Sequence, residues 1–243
     1  MKIAIVDSRI DCAAERKLSL LGYRVLTLPP FSRLSEAVAS HTDMLLCRIG
    51  NEYISYADYC EEASYVFSDL SLMLSGTGAR FTFTADEVSP KYPSDVGLNA
   101  LVMGKTMFCR KESASTTLID IAERKGIRII DVKQGYPACT VLKLSNTAAV
   151  TADRGMAKIL ENNGIHVTLI EQGGISLPPH EYGFIGGAAG VHDGKLCFFG
   201  DVTTHPDSEK IINAARSEGL DVISLCPGTL RDLGGILFID NIG

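Results

Sequence analysis

Four stretches of the chain repeat one pattern, in which an amphipathic run ends at a glycine and passes at once into β-branched and aliphatic residues. They are LSLLGYRVLTL from Leu18, AERKGIRIIDV from Ala122, LENNGIHVTLI from Leu160 and ARSEGLDVISL from Ala215. Gly22, Gly126, Gly164 and Gly219 occupy the place just past a helix C-terminus, where a left-handed backbone is easiest without a Cβ, and the residues after each glycine have strand composition. Upstream of each helix lies another short apolar run: KIAIV from Lys2, TMFC from Thr106, AAVT from Ala148 and KLCFF from Lys195. Asp11, Ser113, Asp153 and Ser208 are the expected helix N-caps. The predicted unit is therefore strand, helix, strand. Beyond it each copy has a turn-rich loop and a further apolar run, ending DMLLC, ACTVLKL, FIGGAAGV and GGILFI.

The stretch from Asn51 to Gly104 has the length and position of a fifth copy. It offers an amphipathic segment from Ala63 to Leu74, breakers at Gly76 and Gly78, the alternating FTFT from Phe81, a proline-marked loop and NALVM from Asn99. Copies of roughly 40 to 54 residues cannot bury their apolar faces alone and must pack on one another, and a closed ring leaves no raw end. The expected fold is α/β, a five-bladed α/β propeller of repeated strand-helix-strand units forming one domain over residues 1–243. The alternative is an open doubly wound, Rossmann-like sheet with an unrelated site. The first strand-helix turn, DSRIDC from Asp7, lacks the GxGxxG glycines that let a backbone approach a pyrophosphate, so nucleotide binding there is not expected.

Composition narrows the function classes. The apolar fraction is 46% and the charged fraction 21%, as in ordinary globular proteins, and no apolar stretch is long enough to span a bilayer. The start, MKIAIVDSRIDC, ends its apolar run too soon for a secretory signal, so a soluble, cytoplasmic protein without a membrane partner is expected. Seven cysteines, with no CxxC pair, suggest reduced thiols and neither a disulfide framework nor a zinc site. The net charge of −6, with basic pairs scattered at Arg16-Lys17, Arg110-Lys111 and Arg124-Lys125, argues against nucleic acid. No cofactor and no metal are expected, and a homodimer is the default for a chain without a dedicated interface motif.

Three segments carry a resemblance to a known fold: LPPFSRLSEAVASHTDMLLC from Leu28, GIRIIDVKQGYPACTVLKL from Gly126 and GLDVISLCPGTLRDLGGILFI from Gly219. The repeat pattern resembles the pentein fold of arginine deiminase, agmatine deiminase, dimethylarginine dimethylaminohydrolase, the amidinotransferases and the non-enzymatic initiation factor 6. The resemblance implies a five-bladed α/β propeller with a pocket at its centre. It also implies a cysteine nucleophile, a histidine acid-base and carboxylates that hold a guanidinium. Two departures count against that chemistry here. Gly234 and Gly235 stand where the cysteine of the last inner strand is expected, and Gly135-Tyr136-Pro137-Ala138-Cys139 holds no histidine.

Comparison of the same place in each copy leaves a set of acids. Asp43 precedes MLLC, Asp95 precedes VGLNALV, Glu181 precedes YGFIGG and Asp232 precedes LGGILFI. Ring closure would gather them at one mouth of a channel, an arrangement that suits a cationic small molecule through charge-assisted hydrogen bonds. Each acid taken singly is equally explained as a turn or strand-entry residue. Around them the pattern places Asn99, Arg48 and Tyr136, with a small-residue run from Gly186 to Gly190 that either opens space or packs tightly. Cys139 is the replacement nucleophile the sequence offers, with His180 as its base, although a cysteine between Ala138 and Val141 also fits a small buried hydrophobe. His41 and His166 have no metal-ligand spacing, and His192 and His205 are expected in turns. Two function classes follow: a binding propeller without thiol chemistry, or an enzyme acting on a guanidine or other cationic amino-acid derivative.

Overall fold

The computed structural model describes residues 2–240. In chain order its elements begin with β1 (Lys2–Asp7), α1 (Cys12–Leu20), β2 (Tyr23–Leu28), α2 (Thr42–Leu45), β3 (Cys47–Ile49) and β4 (Glu52–Tyr56). They continue with α3 (Ala57–Glu62), α4 (Ser64–Met73), β5 (Arg80–Thr84), β6 (Leu101–Met103), β7 (Thr106–Cys109), α5 (Thr116–Arg124) and β8 (Arg128–Asp131). Next come α6 (Pro137–Thr140), β9 (Val141–Lys143), β10 (Ala148–Thr151), α7 (Arg154–Asn162), β11 (His166–Leu169) and β12 (Ile175–Ser176). The chain closes with β13 (Ala189–His192), β14 (Lys195–Phe198), α8 (Ser208–Ser217), β15 (Asp221–Ser224), β16 (Leu230–Arg231) and β17 (Leu237–Asp240).

Among the described residues, five three-stranded sheets share one build: β17-β1-β2, β3-β4-β5, β6-β7-β8, β9-β10-β11 and β13-β14-β15. In each, the first strand runs antiparallel to the middle one, which runs parallel to the third across a helical connection. A parallel pair needs such a crossover, and that requirement sets the order of the repeat. The first sheet takes its inner strand from the far end of the chain, with Lys2 opposite Asp240 and Ile5 opposite Leu237. A short parallel pair, β12 with β16, links the last two units.

The burial of each strand follows its place. Ile3, Ala4, Ile5 and Val6 of the middle strand β1 are all 0% exposed, because helices cover one face and neighbouring sheets the other. The third strands are half-buried and begin with an exposed charged residue in β8 (RIID) and β15 (DVIS), a feature that disfavours pairing of these edges with other chains. The expected glycine caps are in place: Gly22, Gly126, Gly164 and Gly219 have φ of +89°, +65°, +78° and +72°.

Two of the four expected N-caps hold. Asp11 accepts from the Ala13 N–H, and Asp153 accepts from the Met156 N–H. At α5 the cap is Ser115 rather than Ser113, whose buried hydroxyl finds no partner. At α8 it is Asp207 rather than Ser208; its carboxylate accepts from the Glu171 N–H at 2.6 Å and pairs with Lys210 at 2.8 Å. Among the described residues no helix is long and apolar enough to cross a membrane.

Candidate functional site between the inner-strand loops

A cavity of about 720 Å3 lies among the segments that lead into the inner strands, and the approach to each of the five contributes to its wall. His41 comes from the entry to β3, Asp95 from the entry to β6, and Tyr136 and Cys139 from the entry to β9. His180, Glu181 and Phe184 come from the approach to β13, and Asp232 from the approach to β17. Glu36 adds a further carboxylate, and neither lysine nor arginine lines this space among the described residues. Tyr92, Tyr136, Phe184 and Tyr182 follow one another along one side, with ring centroids 5.8, 6.4 and 6.4 Å apart.

The acids differ in how they are held. Asp95 is 4% exposed and accepts the Tyr136 hydroxyl at 2.6 Å through Oδ2, while its Oδ1 is buried without a donor. Burial pushes its carboxyl above the usual range, and the Tyr136 hydrogen bond opposes the shift. Asp232 is 2% exposed; it accepts the Phe184 N–H at 2.8 Å and the Gly234 N–H at 3.1 Å. Its carboxyl is likewise raised by burial, against the pull of His41. Glu181 and His180 lie exposed on the cavity rim.

Below the cavity floor sits a polar layer. The Asn99 amide donates to the Cys139 Sγ at 3.0 Å and to the Asp43 carbonyl at 3.3 Å, and its oxygen accepts the Ala138 N–H at 2.9 Å. One side chain thus ties the entries of three inner strands together. Both Asp43 carboxylate oxygens are buried without a donor, and burial, then the charge of Asp232, pushes this carboxyl up to about 7. Cys139 is 3% exposed; burial, followed by the charges of Asp43 and Asp232, raises its thiol well above the ordinary value. The resting group is a thiol, which is a poor nucleophile.

His41, set aside in the sequence for want of metal-ligand spacing, is central. It is 0% exposed and stands 3.9 Å from Asp7 Oδ2 and 3.8 Å from Asp232 Oδ1, with no hydrogen bond on either ring nitrogen. Burial lowers its pKa, which favours the neutral ring. Asp7 is itself held by Arg9, whose Nη2 lies 2.5 Å from Oδ2. The signal for Asp7 was present in the sequence: a charged residue closing the apolar run Ile3–Val6 of a central strand.

The small-residue run works by close packing. A Cβ on Gly187 would collide with the Asp232 carboxylate, and one on Gly186 would collide with the Ala138 carbonyl. His192 is a correction to the expected turn position, whereas His205 lies in the bend beside Pro206 as expected, although it is buried. His192 ends β13 between the Tyr23 hydroxyl and Asp240, each at 3.0 Å, and His205 is 2% exposed and accepts the Asp207 N–H. Among the described residues no cluster of three or more His, Cys, Asp or Glu has metal-site geometry.

Five repeated sheets, each with its inner strand entered from the same cavity, belong to an α/β protein of the pentein fold. The amidinotransferase SxtG from Microseira wollei, of the saxitoxin biosynthetic pathway, superposes with a TM-score of 0.57 at 16% identity, over 94% of this chain and 78% of that one. A DDAH from Pseudomonas aeruginosa complexed with citrulline superposes with a TM-score of 0.57 at 11% identity, over 92% of this chain and 90% of that one. Within that fold, the chain belongs to the family described as a family of unknown function, DUF6873, which it matches over residues 5–237. No curated protein sequence matches it.

Proposed function

We propose that the five sheets are the blades of a closed propeller and that the cavity at its centre binds a small cation of the guanidinium or primary ammonium class. The observation that carries this reading is the lining: Glu36, Asp95, Glu181 and Asp232 face one space of about 720 Å3 beside a row of aromatic rings. Carboxylates that accept charge-assisted hydrogen bonds and ring faces that attract cations favour the same ligand. The unpartnered Oδ1 of Asp95 is an acceptor left for that ligand, since a buried acceptor without a donor is costly. The fold neighbours, an amidinotransferase and a DDAH bound to citrulline, support a ligand of guanidine-like shape.

A second reading, favoured by the Asp43–Cys139 juxtaposition, makes the chain an enzyme. A carboxylate with a pKa near 7 beside a thiol can take its proton, and a bound cation would offset the negative charges that hold the thiol protonated. The thiolate would then attack the guanidinium carbon; as the C–N bond breaks, the amine would leave with the proton that Asp43 took, and water would hydrolyse the resulting S-amidino-cysteine to free the thiol.

One experiment separates the two readings. Agmatine, arginine and guanidinium are titrated by thermal shift against wild type and Asp95→Asn, beside mass-spectrometric labelling with chloroacetamidine and neutral chloroacetamide. Saturable stabilisation of about 2.7 kcal/mol at a hundredfold excess over Kd, or roughly 5–10 °C, is expected in wild type and lost in Asp95→Asn. Equal stabilisation by acetate or neutral amides would sink the cation reading. Chloroacetamidine labelling of Cys139 that outpaces chloroacetamide labelling of the exposed Cys12 would establish the enzyme instead.

A further inference from the structure

The inner strands all leave the acidic cavity and run toward a second one, of about 400 Å3, whose wall is made by the strands themselves. Its charge is of the opposite sign. Arg48, in the middle of β3, and Lys143, the last residue of β9, line it together. Arg48 reaches across to the Phe238 carbonyl of β17 at 3.1 Å and holds the Gly50 carbonyl at 2.8 Å. Lys143 reaches across to the Val102 carbonyl of β6 at 2.9 Å.

These bonds satisfy geometry and leave charge. Neither cation has a carboxylate within ion-pair distance among the described residues, whereas Lys2, Arg9 and Lys125 each do. Asp240, two residues beyond Phe238, is within 3.0 Å of His192 Nε2. Asp43, at the entry to β3, also lines this cavity. Each cation also keeps donors that no protein acceptor uses: three ammonium hydrogens serve one carbonyl at Lys143, and the guanidinium has five N–H groups for two carbonyls at Arg48. Burial, and then the neighbouring charge of Arg48, depress the Lys143 pKa. The rest of the wall is largely apolar and includes Leu101, Leu144, Val191 and Phe238.

We infer that this mouth is a binding site for a small organic anion, a carboxylate with a short apolar body, whose head meets Arg48 and Lys143 and whose body fills the space between the strands. The anion supplies the acceptors both side chains lack, and the apolar wall selects a ligand with a body over a bare inorganic ion. The site does not depend on the acidic cavity, because the polar layer of Asn99, Cys139 and Asp43 separates the two.

The test is calorimetric titration with octanoate, inorganic phosphate and octylammonium against wild type, Arg48→Gln, Lys143→Met and Asp95→Asn. Octanoate should bind one site saturably, about tenfold or more weaker in Arg48→Gln and in Lys143→Met and unchanged in Asp95→Asn. Because Arg48 is exposed, Arg48→Gln keeps the test decisive even if Lys143→Met fails to fold. No saturable octanoate binding by wild type, or binding that survives both substitutions, overturns the proposal. Phosphate binding as tightly as octanoate removes the apolar body from it, and octylammonium binding lost in Arg48→Gln contradicts its charge. Loss of octanoate binding in Asp95→Asn alone would place the ligand in the acidic cavity and refute a second site.

Discussion

Asp43 is a buried carboxyl set beside the Cys139 thiol and the charge of Asp232. Its folded pKa lies near 7 against 3.8 for the free group, so the native state binds the extra proton between those values. Its contribution is therefore complete below about pH 4, falls as pH rises toward 7, and stays at its minimum above. Wild type should lose stability relative to Asp43→Asn across that window, with a slope of at most about 1.4 kcal/mol per pH unit; urea melts at pH 4.5, 6 and 7.5 measure it. A difference between the two proteins that stays flat with pH would show that Asp43 is ionised throughout. Sequence comparison found Asp43, Asp95 and Asp232 because repeats put chemistry at matching places. It could not find His41, whose two carboxylate neighbours come from opposite ends of the chain, and it gave no means to tell the exposed Glu181 from the buried acids.

At the scale of the element, the legible part was the junction between helix and strand. Four glycines stop four helices with left-handed backbone, and the geometry needs no tertiary information. The fifth copy was harder to read because two helices, α3 and α4, replace one, and the breakers Gly76 and Gly78 belong to a longer turn before β5. Cap residues were misplaced where the true cap serves a tertiary partner, as Asp207 does for Glu171. Gly164→Ala tests the junction in isolation, since a Cβ there meets nothing within 4 Å and the φ of +78° is the sole penalty. The substitution should cost about 1–2 kcal/mol, lowering Tm by roughly 2–8 °C in a chain of this size. A neutral result would mean that the turn relaxes to a right-handed form.

At the scale of the molecule, pairing of β17 with β1 joins the two ends of the chain in one sheet. Truncation of the chain after Ile236 leaves the buried apolar run Ile3–Val6 of β1 with a bare edge, and cooperative thermal melting by circular dichroism should vanish. A peptide spanning residues 236–240, added in excess, should restore part of the transition by strand addition, and an unaltered melt of the truncated chain would refute the role given to β17. The same pairing orders events during synthesis. β1 leaves the ribosome well before its antiparallel partner β17, so its apolar residues must be sheltered, by chaperone or by provisional neighbours, until the four intervening sheets and then β17 have been made.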